Sequence, residues 1–124
     1  MEFSRSQTEA IEHKDGPALI LAGPGSGKTA VITERTSRLI TEHGVDPSRI
    51  LVITFTRAAA REMEERFVRR MGKKYPVTFG TFHAVFFTVL KYAYHFHAGN
   101  IIKEDVKYQY MREIVAHMGL EYDD

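Results

Sequence analysis

Ala22-Gly23-Pro24-Gly25-Ser26-Gly27-Lys28-Thr29 is the stretch on which the reading of this chain turns. Just before it runs Ala18-Leu19-Ile20-Leu21, short and wholly apolar, which reads as a buried strand. Just after it, Ala30 to His43 reads as a helix with Val31, Ile32, Leu39 and Ile40 as its apolar residues and Gly44 as its stop. Strand, glycine-rich loop, Gly-Lys-Thr and helix together make the setting of a phosphate-binding P-loop. The residue types follow from that chemistry. Glycines let the backbone wrap a phosphate with its N–H groups turned inward. The helix that starts there adds its dipole and unpaired donors. Lys28 brings a mobile positive charge to the β- and γ-phosphates of ATP, and the Thr29 hydroxyl is placed for the Mg²⁺ that bridges them. Lys28 and Thr29 are therefore the expected catalytic pair, and all eight residues are expected to line the ATP site. The strict pattern opens on Gly where this chain has Ala22, a small departure in a small residue.

Composition bounds the rest. A chain of 124 residues, 44% hydrophobic and 27% charged, is of a size for one small domain with a real core. A net charge of +1 neither demands nor excludes nucleic acid. There are no cysteines, which excludes disulfides and cysteine metal sites. The scattered histidines, His95 and His97 included, read as solvated or packed rather than as ligands. No apolar run reaches the 18 or so residues of a membrane span. Met1-Glu2-Phe3-Ser4-Arg5 lacks the apolar region of a signal peptide, so a cytoplasmic location is the default expectation.

Along the chain, residues 4 to 14 read as a short helix, with Ser4 as N-cap, Gln7 closing a capping box, and Ala10 and Ile11 apolar. Asp15-Gly16-Pro17 and Asp46-Pro47-Ser48 are turns. Gln7 has a second role open to it, since its amide offers donor and acceptor to an adenine edge. Arg35, two turns into the helix after the P-loop, is either a solvated arginine or a guanidinium stacked on a base. Arg49 to Phe55 reads as a buried parallel strand. Thr56 caps a helix from Arg57 to Met71 that Gly72 ends. That helix and its exit carry an excess of arginine and lysine, weak evidence for nucleic acid when taken alone. Pro76 to Phe82 is a third strand and His83 to about Phe96 a helix whose aromatic stretch from Phe86 reads as core. Strands alternating with helices imply an α/β fold with a parallel sheet. Lys103 to Met118 reads as an amphipathic helix, with Met111, Ile114, Val115 and Met118 inward and Gly119 as its stop.

These segments resemble the N-terminal part of UvrD/Rep/PcrA-type superfamily 1 DNA helicases. Phe3 to Ile11 is similar to the family's Q motif, Ile53-Thr54-Phe55-Thr56-Arg57-Ala58-Ala59-Ala60-Arg61-Glu62-Met63 to motif Ia, and Gly80-Thr81-Phe82-His83 to motif Ib. Order and spacing fit over residues 3 to 96. The resemblance implies a RecA-like P-loop NTPase sheet over residues 1–88, truncated, and the start of a helical insertion subdomain over 89–124. It implies that Gln7 reads adenine and Arg35 stacks on it. It implies that Thr54, Phe55 and Thr56 contact single-stranded DNA, with Phe55 as a stacking platform, and that Thr81, Phe82 and His83 lie along the same strand. Arg57 stands where the relatives more often have Asn, and an arginine there reaches a phosphate. The implied activity is ATP-dependent unwinding of DNA with 3′-to-5′ translocation. A repair enzyme like UvrD and a recombination subunit like RecB or AddA both fit.

The Asp-Glu pair that such a motor needs for Mg²⁺ and the attacking water has no candidate here. The late acidic cluster Glu121-Tyr122-Asp123-Asp124 has no apolar strand before it. The chain therefore reads as a fragment of a longer helicase, inactive by itself, with an incomplete sheet whose open edges favour self-association. Ile20 and Ile53 are expected to be poorly covered. Two other readings stand beside it. A small nucleotide or metabolite kinase leaves Thr54-Phe55-Thr56 and Gly80-Thr81-Phe82-His83 without a role, and a non-enzymatic nucleotide-binding module is the third.

Overall fold

The computed structural model describes residues 2–120. It divides into two compact units, Met1–Val85 and Phe86–Asp124. In the first, helix α1 spans Arg5–Glu12, α2 Lys28–Thr41 and α3 Arg57–Met71, with strands β1 at Leu51–Thr54 and β2 at Thr78–Thr81. Helix α4, Phe82–Tyr94, leads into the second unit, where α5 spans Glu104–His117. The fold is thus mixed helix and strand with a parallel pair, as the alternating pattern implies.

Local chemistry sets most boundaries. Ser4 Oγ accepts from Gln7 N at 3.3 Å while Gln7 Oε1 accepts from Ser4 N at 2.8 Å, the reciprocal capping box read from the sequence. Gly44, at φ +64°, turns the chain out of α2. Asp46 accepts from Ser48 N at 2.9 Å and starts a short 3₁₀ turn over Pro47–Arg49. The Thr56 hydroxyl accepts from Ala59 N at 3.1 Å to cap α3, and Gly72 ends it at φ +74°.

β1 and β2 pair in parallel with Leu51 opposite Thr78 and Thr54 opposite Thr81. α3 connects them and supplies Met63 and Phe67 to a core with Val52 and Val77. Phe67 is fully buried, its ring 5.5 Å from that of Phe79 and 6.3 Å from that of Tyr75. Truncating such a phenylalanine to alanine costs about 3–5 kcal/mol. A smaller cluster of Ala10, Ile11 and Val31, flanked by Phe3, seats α1 on α2.

Four expectations are corrected. Ala18–Leu21 is not a strand, and Leu19 and Leu21 are 86% and 88% exposed. A strand exists only in a ladder, and the two described strands pair with each other and leave this run without one. Ile20 is exposed as expected, but Ile53 is half-buried. The aromatic stretch from Phe86 is not core: no residue of α4 is buried, and Phe86, Tyr92 and Tyr94 are exposed. The inward face expected of α5 is open, with Met111, Ile114 and Met118 exposed and Val115 half-buried. An amphipathic pattern marks a face that needs a cover, and no described element buries this one. The acidic cluster at 121–124 lies outside the described residues.

Candidate nucleotide and nucleic-acid site

The glycines of the loop have the geometry their positions call for. Gly25 and Gly27 sit at φ +74° and +83°, where an L side chain is strained. Ser26 closes the turn on Gly23, its backbone N–H and its hydroxyl both donating to the Gly23 carbonyl, at 3.3 and 2.6 Å. Gly27 is the N-cap of α2 and has no side chain with which to satisfy the first N–H groups of the helix, which leaves them for an anion. Lys28 and Thr29 open the helix, Lys28 exposed and Thr29 half-buried. A cavity of about 420 Å³ is lined here by Gln7, residues 25–29 and Arg66 among others.

Gln7 crosses from α1 to this loop. Its Nε2 donates to the Ser26 carbonyl at 2.8 Å while its Oε1 takes the Ser4 N–H. One donor and one acceptor site of the amide remain for a ligand. Arg35 is half-buried, neither solvated nor free. Its Nη1 donates to the Ala10 carbonyl at 2.9 Å and to the His13 carbonyl, both at the end of α1.

The second group stands at the carboxyl ends of the parallel strands, where ligands of open α/β sheets bind. The register that sets Thr54 opposite Thr81 brings the two segments together. Phe55 is 92% exposed and its ring lies 5.9 Å from that of half-exposed Phe82, tilted by 49°. The threonines are engaged: Thr54 Oγ1 donates to Thr56 O at 2.9 Å, and Thr81 Oγ1 accepts from Ala84 N at 3.3 Å. Arg57 and His83 are exposed beside them.

A family model described as the UvrD/REP helicase N-terminal domain matches residues 3–121. The chain belongs to the UvrD/REP helicase family. It is similar to the ATP-dependent DNA helicase PcrA of Staphylococcus aureus, 45% identical over 90 residues, which are 72% of this chain and 12% of that protein. PcrA of Leuconostoc citreum is 43% identical over 91 residues, again 72% of this chain and 12% of the relative. The putative ATP-dependent DNA helicase YjcD of Bacillus subtilis is 39% identical over 92 residues, 71% of this chain and 12% of the relative. The chain thus spans about an eighth of the length of these UvrD/REP relatives.

Within this UvrD/REP chain, the sequence reading missed a charged cluster that joins the helices. Glu34, only 9% exposed, takes Arg70 Nε at 2.8 Å and Nη2 at 3.2 Å from α3, and Arg38 Nε at 3.2 Å from its own helix. Arg38 also reaches Glu12 of α1 at 3.4 Å. The Arg70 hydrogen bond is the main reason that the Glu34 carboxyl sits below the usual carboxylate range, against the opposing effect of burial, and the same bond raises Arg70. The i,i+4 spacing of Glu34 and Arg38 was the one available signal. The buried side of α2 is otherwise hydroxylic: Thr33, Thr36 and Ser37 donate to the carbonyls four residues back, which hides their polarity.

Proposed function

We propose that this chain is the ATP-binding and single-strand-contacting front part of an ATP-dependent DNA helicase that translocates 3′ to 5′. The observation that carries the reading is the uncapped N-terminus of α2, entered through two glycines at positive φ and followed by exposed Lys28 and Thr29. Residues Ala22 to Thr29 wrap the phosphates, and the free half of the Gln7 amide faces adenine. Arg35 belongs to the same site. Phe55 and Phe82 offer aromatic faces to bases, and Thr54, Thr56, Arg57, Thr81 and His83 serve the strand's backbone. In that role Thr56 and Thr81 act through the helix ends that they cap as well as through their hydroxyls.

Mg²⁺ fits in part. Thr29 offers one hard oxygen, and Mg²⁺ keeps several waters and takes further ligands from the nucleotide phosphates. Bound there, the ion would supply neutralisation of the phosphate charge. Thr29 would hold the ion through its hydroxyl, and Lys28 would offset charge on the γ-phosphate. No Asp-Glu pair follows an apolar strand among the described residues, and that pair would belong to a longer protein, in keeping with relatives eight times the matched length. The work of such a protein on DNA goes with a cytoplasmic location. A kinase leaves the paired aromatic segments at 55 and 82 unused.

The test is calorimetric titration of ATP into the chain and its Lys28→Ala variant. The variant is expected to bind at least tenfold more weakly, about 1.4 kcal/mol. Equal affinities would remove the assignment.

A further inference from the structure

We propose that Arg35 is a positioning residue for the phosphate loop, acting through α1 and Gln7 rather than by stacking on a base; the inference rests on the ATP-site reading above. Helix α1 has only eight residues and no basic residue in its last turn. Its final carbonyls have no intrahelical partners and carry the negative end of its dipole. Arg35 of α2 supplies what α1 lacks. It gives its guanidinium to the carbonyls of Ala10 and His13, 25 and 22 residues away in sequence. Gln7 sits one turn before Ala10 on the same helix, and its Nε2 holds the Ser26 carbonyl at 2.8 Å.

That carbonyl belongs to the peptide unit that also carries the Gly27 N–H. The unit is planar and trans, so its carbonyl and its N–H point in opposite directions. When Gln7 fixes the Ser26 carbonyl toward α1, it turns the Gly27 N–H the other way. Among the glycines of the loop, Gly27 fits closest: a Cβ there would lie 3.1 Å from Gln7 Nε2. Arg35, the end of α1, Gln7 and the Ser26–Gly27 peptide thus form one chain of contacts that ends on a phosphate donor. The guanidinium is already engaged with the main chain of α1.

The experiment is calorimetric titration of the 124-residue chain with inorganic tripolyphosphate and with ATP, which separates phosphate binding from base binding. Arg35→Ala and Gln7→Ala should each weaken tripolyphosphate about fivefold, the worth of one hydrogen bond. Each should weaken ATP by at least as much. The double variant should be no weaker than the more damaging single one, because both act through the same peptide. A folded Arg35→Ala protein that loses ATP affinity but keeps full tripolyphosphate affinity would show base stacking and overturn the proposal. Unchanged affinity for both ligands would overturn it too, leaving Arg35 a structural tie. If circular dichroism shows that Arg35→Ala does not fold, Arg35→Lys keeps a donor and is judged by the same comparison. Failure of the wild-type chain to bind tripolyphosphate would instead overturn the phosphate-site reading itself.

Discussion

Replacing Glu34 by Gln tests the cluster that holds α2 to α3. The side chain is almost fully buried, and three charged hydrogen bonds converge on it, two from Arg70 and one from Arg38. Charged hydrogen bonds in protein interiors contribute about 1.5–3 kcal/mol each. Here the partners lower that figure, because the Arg70 side chain is 55% exposed and Arg38 27% exposed, so that water screens both pairs. Discounted to about 0.5–1 kcal/mol per bond, the loss comes to about 2 kcal/mol, or roughly 10 °C in Tm for a domain of this size. The direction with pH follows from the lowered carboxyl. A group whose folded pKa is depressed stabilises above its unfolded value, about 4.3, and loses that stabilisation as pH falls through the folded pKa. Wild type and Glu34→Gln should therefore differ most at pH 7, and the gap should narrow as pH falls below about 4.3 toward the lowered folded pKa. Urea unfolding of both proteins at pH 7, 5 and 3.5 measures this. Equal stability at pH 7, or a gap that persists undiminished at pH 3.5, would refute the reasoning.

Thr56→Ala removes the α3 cap and should cost about 1 kcal/mol by the same unfolding assay, whatever its effect on DNA. Phe55→Ala should weaken single-strand binding by about 1–3 kcal/mol in a fluorescence titration while leaving thermal stability unchanged, since the ring is 92% exposed; normal DNA binding by the variant would assign the ring no role. Light scattering on the purified chain is expected to show self-association through the exposed Ala18–Leu21 run and open sheet edges, and a stable monomer would argue against it. A phosphate-release assay on the same sample should show no hydrolysis above background with or without DNA, and DNA-stimulated turnover would place the missing acidic pair within this chain.

What the sequence made legible was local. The caps at Ser4 and Thr56 and the glycine stops at Gly44 and Gly72 are written in residues close together in the chain, and the structure places them as read. What it hid was set by partners. Ala18-Leu19-Ile20-Leu21 has the composition of a buried strand, but composition does not supply a neighbour to pair with. The apolar faces of α4 and α5 were read as buried for the same reason. Arg35 was weighed as solvated or base-stacking because carbonyls more than 20 residues away leave no trace in its local sequence. Glu34 takes its main partner, Arg70, from a helix 36 residues further on, which the local sequence does not show.

The two kinds of tie that α2 makes differ in how they tolerate drift. Arg35 binds main-chain carbonyls, which every residue type presents, so Ala10 and His13 can change identity without releasing it. Glu34 and Arg70 bind each other's side chains, so a change at either one removes both hydrogen bonds between α2 and α3. Lineages diverging from this sequence can therefore vary the end of α1 one residue at a time, while a lone change at position 34 or 70 gives up the tie between α2 and α3.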